Sequence, residues 1–529
     1  MKQSLYLWMV VVLSLCLGFL MGTNQQLLRQ MTQRPLEGQA KLQQFFHYLD
    51  QYYVDDIDTD SLATTLIERL IADLDPHSFY ISPAAYARLE EDMQGSFMGI
   101  GVSFFMVNDT VNVVRVLPGG PSEKAGIQPG DRILQVDQDT LYGKELSSEA
   151  IIQRLKGQTP IDLDLKIYRP VEQKQFAFKL KRGTVPLPTV NHYLLNANVG
   201  YLKIIRFGKN TVDEFENALN QLQAQGMRQL ILDLRDNPGG YLEAAIAVAD
   251  AFLSEGQAIV SIESNKGERE TTHATREGRF LHPPVYVLIN RASASASEVV
   301  AGALQDNDRA WILGQRSFGK GLVQQQMPLG QNEAVRLTTA RYYTPTGRSI
   351  QRPYLESKSD YFAEVQQRYS TGELAAEDQI PIVDSLAYTT PKGRTVYGGG
   401  GIVPDIYITE NTDMDAAWEQ YLLDSNLVNH FVYLTLDTKR KEYKDLTPEQ
   451  WVGSALENPA FWLEAFDGYL QQQGAPLMTY DKAMALSRIR AYLALQLFGE
   501  TQQQQVLHQS DKFILRALEH MKDATQTKP

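Results

Sequence analysis

The sequence predicts a multidomain α/β protein with helical regions at both ends of a layered core. Three observations predict it. Between residues 183 and 408, short β-branched runs alternate with runs of helical period, the pattern of a sheet covered by helices. Between 95 and 182 the apolar runs are shorter and are broken by Pro-Gly and Gly-Gly turns, as in a small β-rich domain. Before 95 and after 408, apolar residues recur at three- and four-residue spacing. A chain of 529 residues with 43% hydrophobic and 21% charged residues is ordinary for a globular protein, and its length suggests about three or four domains.

The first element is an apolar run. Lys2 is followed by no charged residue until Arg29, and residues 5–22 read LYLWMVVVLSLCLGFLMG. That run just reaches the length that spans a bilayer. A charged residue before it also suits a secretory signal. No A-x-A site follows, and Leu13-Ser14-Leu15-Cys16 fits a lipoprotein signal poorly because a leucine precedes the cysteine. Residues 1–23 therefore read as a signal anchor, a cleaved signal peptide or a lipoprotein signal. Each places the remainder outside the cytoplasm.

Residues 24–94 read as a helical region, with helices at 39–50 and 60–74. The second ends at Leu74-Asp75-Pro76-His77-Ser78, because Pro76 disfavours helix at the residue before it. In the small domain at 95–182, strands are expected at 111–116, 132–136 and 162–168, and helices at 122–125 and 149–155. Gly126 suits the end of the first of these helices. In the region 183–408, strands are expected at 199–205, 229–234 and 285–289. Helices are expected at 212–225, 242–252 and 299–305. Residues 354–394 are polar and turn-rich, an excursion from the core. Residues 409–529 are helical and Gln-rich, with helices expected at 412–427, 448–454, 458–473 and 482–498 and no visible chemistry.

Composition excludes several functions. The chain has 50 basic and 63 acidic residues, a net charge of −13, which argues against nucleic acid as a partner. Cys16 is the one cysteine and lies in the apolar run, so the remainder has no disulfide, thiolate nucleophile or cysteine metal site. The eight histidines are scattered and none sits in H-E-x-x-H. No metal, nucleotide or organic cofactor is expected.

Four constellations carry chemistry. Ser295 lies where a strand passes into a helix, a position that exposes its hydroxyl beside free backbone N–H groups. Acyl transfer needs such donors because its tetrahedral intermediate carries an oxyanion. Ser295-Ala296-Ser297-Glu298 is equally a capping box, a common structural device. Lys320 opens a predicted strand at 321–327 on which Lys320, Leu322 and Gln324 point the same way. A lysine can act as base to a serine when burial keeps it neutral, and Gln324 could hold the amine without adding charge. A solvated surface lysine is the plainer reading. Gly314 to Lys320 also matches G-x-x-x-x-G-K. Gly321 stands where a phosphate-binding loop needs Ser or Thr, and the following residues read as strand. Gly99-Ile100-Gly101-Val102 opens the small domain and can present N–H groups to a carboxylate. Pro238-Gly239-Gly240 follows a buried strand and can turn an N–H toward a site at its end.

Taken in order, these pieces resemble the carboxy-terminal processing proteases, or tail-specific proteases. The resemblance rests on Leu74-Asp75-Pro76-His77-Ser78, on Gly99–Val102 with Pro129-Gly130-Asp131, and on Asp233-Leu234-Arg235-Asp236-Asn237-Pro238-Gly239-Gly240. Ser293-Ala294-Ser295-Ala296-Ser297-Glu298 and Phe318-Gly319-Lys320-Gly321 with Val323-Gln324 complete it. Arg341-Tyr342-Tyr343-Thr344-Pro345 and Gly399-Gly400-Gly401-Ile402-Val403-Pro404-Asp405 extend it over about residues 40–410. The resemblance implies a crotonase-like α/β protease core at 183–408 with an inserted PDZ domain at 95–182. It implies Ser295 as nucleophile, Lys320 as general base and Gln324 as the residue that positions the lysine. The amide of Ala296, with Gly239 or Gly240, would form the oxyanion hole. Gly99, Ile100, Gly101 and Val102 would bind the C-terminal carboxylate of protein substrates with apolar tails. Arg291-Ala292 departs from the Gly-rich approach to the nucleophile common in the family. Protein substrates and a membrane anchor are expected, and the helical domain at 409–529 is expected to serve oligomerisation, to bind an adaptor protein or to pack on the protease body. The location implied is the cell envelope, on the periplasmic side of the inner membrane. The alternative is a catalytically silent PDZ scaffold that only binds peptides.

Overall fold

The structure is a computed structural model. It describes residues 37–526 apart from 331, 355–357, 411–417, 419–420, 423, 444, 454–455 and 476–479. The run at 1–23 lies outside the described residues, as does most of the helix expected at 412–427. Among the described residues no helix is long and apolar enough to cross a membrane.

The chain divides into two compact bodies, 1–74 and 75–529. The first holds the helices Glu37–Tyr52 and Thr59–Ala72. Asp58 starts the second helix by accepting from the N–H groups of Asp60 and Ser61, which satisfies donors that a helix leaves orphaned.

In the second body, a six-stranded sheet runs Val190–Leu194, Val199–Ile204, Gln229–Asp233, Val285–Ile289, Ala310–Gly314, Ile406–Tyr407. Its first pair is antiparallel and the rest are parallel. Side chains alternate across a strand, so both faces of a buried sheet must be covered. Leu230 and Leu232 enter one core, together with Phe215, Val248 and Val300 from the helices Thr211–Ala224, Leu242–Asp250 and Ala296–Asp306. Ile231, between those leucines, enters the other core with Tyr201, Tyr286 and Leu288. That face is closed by Ile514, Ala517 and Met521 of the helix Lys512–Gln526. A helix from the far end of the chain thus supplies one layer of the α/β core.

A second sheet is antiparallel. It runs Phe79–Ile81, Ala334–Tyr343, Ala258–Ser264, Arg269–His273, and Leu322–Pro328 pairs on Ala334–Tyr343. The strand Phe79–Ile81 interrupts a stretch that reads as helical from its sequence, because its partner lies some 250 residues further on.

The small β-rich unit consists of Val102–Val107, Thr110–Val116, Arg132–Val136, Asp162–Arg169 and Lys174–Lys181, with helices Pro121–Ala125 and Ser148–Leu155. Ile133, Ile151, Leu165 and Ile167 fill its core. Gly126 ends the short helix at φ 82°, as its position predicts. Ser96–Gly99 pairs with Gly183–Pro186 where the chain enters and leaves this unit.

A further group of helices comprises Leu427–Lys439, Pro448–Gly453, Pro459–Gln472, Lys482–Leu497 and Glu500–Leu507. They pack around Val432, Leu436, Trp462, Phe466, Ile489 and Leu493. The sequence reading ends a helix at 427, whereas one starts there, with Asn426 in the left-handed region at φ 55° before it. The helices after 498 carry no expected counterpart. Leu427–Lys439 also lies against the small β unit. Phe105 sits between the rings of His430 and Tyr433, Arg132 pairs with Asp437, and the Tyr433 hydroxyl donates to Asn112 Oδ1 at 3.1 Å.

Candidate active site

Ser295 stands at the start of the helix Ala296–Asp306, which begins three residues earlier than its apolar pattern suggests. The loop from the strand Val285–Ile289 is tied down first. Ser293 Oγ donates to the Leu234 carbonyl at 2.8 Å, and the Ala294 N–H donates to the Asn237 carbonyl at 3.0 Å. Ser295 then takes φ 55° and ψ −114°. Such a backbone costs a non-glycine residue on the order of 1–3 kcal/mol and persists only where its surroundings enforce it. Its N–H donates to Glu298 Oε2 at 2.8 Å, and its carbonyl accepts from the Tyr342 hydroxyl at 3.1 Å. The glutamate half of the capping box forms, while the Glu298 N–H donates to the Ser295 carbonyl at 2.8 Å rather than to its hydroxyl. Cap and exposed nucleophile are therefore compatible readings of the same four residues.

Lys320 is half-buried just before the strand Leu322–Pro328. Its Nζ donates to Gln324 Oε1 at 2.6 Å, as their shared face predicts. Gln324 in turn donates to the His77 carbonyl. That contact explains the motif at 75–78, to which the sequence reading assigns no task. Asp75 accepts from the N–H groups of His77 and Ser78 at 2.8 and 2.9 Å and from the Thr338 hydroxyl at 3.1 Å. This turn thereby fixes His77 against the strand Ala334–Tyr343. Burial, with the Arg336 guanidinium beside it, brings Lys320 down to about 8, while Glu298 and Asp75 oppose the shift. Burial also pushes His77 down to about 3, so it stays neutral beside the lysine. Among the described residues no hydrogen bond joins Lys320 Nζ to Ser295.

Glu298 links the two halves of the site, and the sequence reading sees only its capping role. It is 0% exposed. Its Oε2 accepts from the N–H groups of Ser295 and Lys320 at 2.8 and 2.9 Å. Its Oε1 accepts from the Gly319 N–H at 2.7 Å and the Ser317 hydroxyl at 2.5 Å. Burial pushes its carboxyl up and these donors push back. Tyr342 adds a second bridge, its hydroxyl donating to the carbonyls of both Ser295 and Lys320. The N–H groups of Gly319 and Lys320, which a phosphate-binding loop would offer to a nucleotide, are consumed by this carboxylate. A strand follows them rather than a helix. The G-x-x-x-x-G-K stretch is a carboxylate-binding turn, in line with the reading of Gly321 and the strand against a phosphate-binding loop.

Gly239 and Gly240 differ in what their N–H groups do. Gly239 donates to Asn237 Oδ1 at 2.9 Å. Gly240 N–H and Ala296 N–H have no acceptor among the described residues, and both residues line a cavity of about 550 Å³ with Ser295 and Lys320. Both glycines are required. A Cβ on Gly239 would lie 2.8 Å from Ser295 Cβ, and one on Gly240, at φ 145°, would lie 2.1 Å from the Phe207 carbonyl oxygen. Tyr86, Leu89 and Met93 of the helix Pro83–Gln94 form another wall of the cavity.

Gly99, Ile100, Gly101 and Val102 do not line this cavity. They lie where the small β unit begins. Gly101 is at φ 81°, Ile100 is buried, and the carbonyls of Ile100 and Gly101 accept from Ser122 and Leu117. The loop is thus held from its carbonyl side.

Comparison with known proteins is consistent in both parts of the chain. Residues 198–361 match the model of peptidase family S41, and residues 98–180 match that of the PDZ domain. A carboxy-terminal-processing protease of Bartonella bacilliformis is 38% identical over 317 residues, which are 59% of this chain and 72% of the relative. The carboxy-terminal processing protease CtpB of Bacillus subtilis is 30% identical over 332 residues, 61% of this chain and 68% of the relative. Among solved structures, a photosystem II D1 C-terminal processing protease is 27% identical, with a TM-score of 0.37, over 72% of this chain and 91% of that one.

Proposed function

The chain belongs to peptidase family S41 and is a carboxy-terminal processing protease with a PDZ domain, and from that premise we propose that it cleaves protein tails by a Ser295-Lys320 mechanism. The observation that carries this reading is the half-buried Lys320, its amine held by Gln324, opening on the same cavity as Ser295.

Neutral Lys320 takes the proton of Ser295 Oγ as that oxygen attacks the substrate carbonyl. For this Nζ swings from Gln324 to the hydroxyl, since hydrogen bonds of a free site commonly tighten only with substrate bound. The carbonyl oxygen becomes an oxyanion and receives the N–H groups of Gly240 and Ala296, which are unengaged without substrate. The intermediate collapses, the C–N bond breaks, and the Lys320 ammonium returns the proton to the leaving amine. Lys320 then takes a proton from water as the water oxygen bonds to the acyl carbon, the C–Oγ bond breaks, and the Lys320 ammonium returns the proton to Oγ, which frees Ser295. Gly239 supports the hole sterically and is not itself a donor in this reading.

The helix Ala296–Asp306, packed on a largely parallel sheet, supports a crotonase-like layout for the core. The segmentation into 24–94, 95–182, 183–408 and 409–529 is retained as a working division. The apolar run 5–22 supports an envelope location for the catalytic part. Gly99–Val102, within the PDZ match, would take the terminal carboxylate, with apolar neighbours receiving the last side chain.

Tail recognition has a direct test. A loosely folded protein with an apolar C-terminal tail is offered as the free acid and as the C-terminal amide. The amide is expected to raise KM about tenfold, because a charge-assisted hydrogen-bond set is lost. Equal KM values would keep the protease and reject recognition of the tail carboxylate.

A further inference from the structure

We propose that Asp511, in the C-terminal helical segment, is a positioning residue for the active site and acts through Arg235 on the loop that carries Gly240. This rests on the reading of Gly240 as an oxyanion donor.

Arg235 is the second residue after the strand Gln229–Asp233 and the point where the chain departs into that loop. Its side chain is held on three sides. Nε lies 3.0 Å from each Asp233 oxygen, and one terminal nitrogen lies 2.6 Å from Asp233 Oδ2. The other terminal nitrogen lies 2.8 and 3.1 Å from the two Asp511 oxygens. The Phe513 ring covers the guanidinium, 4.8 Å from its central carbon. Asp233 is itself fully buried and accepts from the Tyr201 hydroxyl at 2.8 Å. Burial pushes the Asp233 carboxyl up, but Arg235 overrides this and holds it well below the usual carboxylate range.

The loop beyond Arg235 is strained and tied to its neighbours. Asp236 takes φ 63° and its N–H donates to Asn290 Oδ1 at 3.0 Å. Asn237 donates to the Ile204 carbonyl and accepts from the Gly239 N–H. The first two of these bonds tie the loop to Asn290 and to the strand Val199–Ile204, and the third braces it internally. Phe207 clamps Gly240 itself, its N–H donating to the Gly239 carbonyl at 2.9 Å and its carbonyl accepting from the Tyr241 N–H at 2.7 Å, and Arg235 adds the hold at the point where the loop leaves the sheet. Of the groups that hold Arg235, Asp511 and Phe513 come from outside the region 198–361 matched by the protease family. The helical tail therefore contributes to the geometry of the site.

Asp511 also caps its own helix, accepting from the N–H groups of Phe513 and Ile514 at 2.8 and 3.3 Å. The two roles separate by substitution. Asp511→Asn keeps a good cap and loses the ion pair, whereas Asp511→Glu keeps the charge and weakens the cap. Full-length variants are assayed on a short peptide substrate, with Glu519→Gln as a control on the same helix. Inhibition by a peptide aldehyde is measured alongside. The aldehyde adds to Ser295 Oγ, the hydroxyl proton passes to Lys320, and the carbonyl oxygen becomes an oxyanion in the same hole.

Asp511→Asn is expected to lower kcat about tenfold, less than outright loss of an oxyanion donor. KM and melting temperature should be unchanged, and the aldehyde inhibition constant should rise by a similar factor. Asp511→Glu should restore most of the activity, and the control should match wild type. Wild-type kcat in Asp511→Asn, or a loss confined to Asp511→Glu, would leave Asp511 a helix cap only and overturn the proposal. Cleavage by Ser295→Ala would instead overturn the site reading itself, whatever Asp511 does.

Discussion

Lys320→Arg is expected to abolish peptide hydrolysis although the positive charge and the fold are retained. The lysine amine works in this site only when neutral. Burial and Arg336 bring it down to about 8, so a useful fraction is neutral under mildly alkaline conditions. A guanidinium stays protonated throughout that range. The rate loss should be on the order of 10⁴-fold, as for loss of a base in comparable serine hydrolases. The pH profile carries the same signature. Wild-type kcat/KM should rise with pH through about 8 and fall below it, because the free enzyme's base is active when deprotonated. Activity in Lys320→Arg within about tenfold of wild type would remove Lys320 as the base.

Glu298→Gln should have the next largest effect, and it should act on both stability and rate. The carboxylate takes four donors at 0% exposure, and a carboxylate is acceptor-only. An amide offers one acceptor oxygen and turns two donors of its own toward donors already in place. At least one buried N–H is left unsatisfied, which costs about 3 kcal/mol. The backbones of Ser295 and Lys320 lose their common anchor, and a misplacement of that kind costs on the order of 100-fold in kcat. Urea unfolding followed by kcat measurement on the refolded variant checks both. Wild-type values in both would show that the carboxylate does not organise the site.

The legibility of this protein in its sequence follows the range of the interactions involved. Ser295, Lys320 and Gln324 stand out because three short motifs hold them and because Lys320 and Gln324 share one strand face. The strand Val285–Ile289 is legible as a short, continuous apolar run, buried along its whole length, and the helix Ser148–Leu155 because its apolar residues follow one period. The choice between Gly239 and Gly240 is not legible, since it turns on which N–H the Asn237 side chain takes. Glu298 reads as a cap because two of its other donors, Gly319 and Lys320, lie more than 20 residues away. The strand Lys174–Lys181 is mostly exposed and charged, and is specified by its partner Asp162–Arg169 rather than by its own pattern. Asp511 and Arg235 are 276 residues apart, with nothing local to connect them.

The most direct test of the account is cleavage of a loosely folded, free-acid protein substrate by wild type and by Ser295→Ala. The account predicts fragments with wild type and none above background with Ser295→Ala, while that variant still binds the substrate tail. Equal cleavage by both would show that peptide hydrolysis does not pass through Ser295, and the proposed mechanism would fall with it.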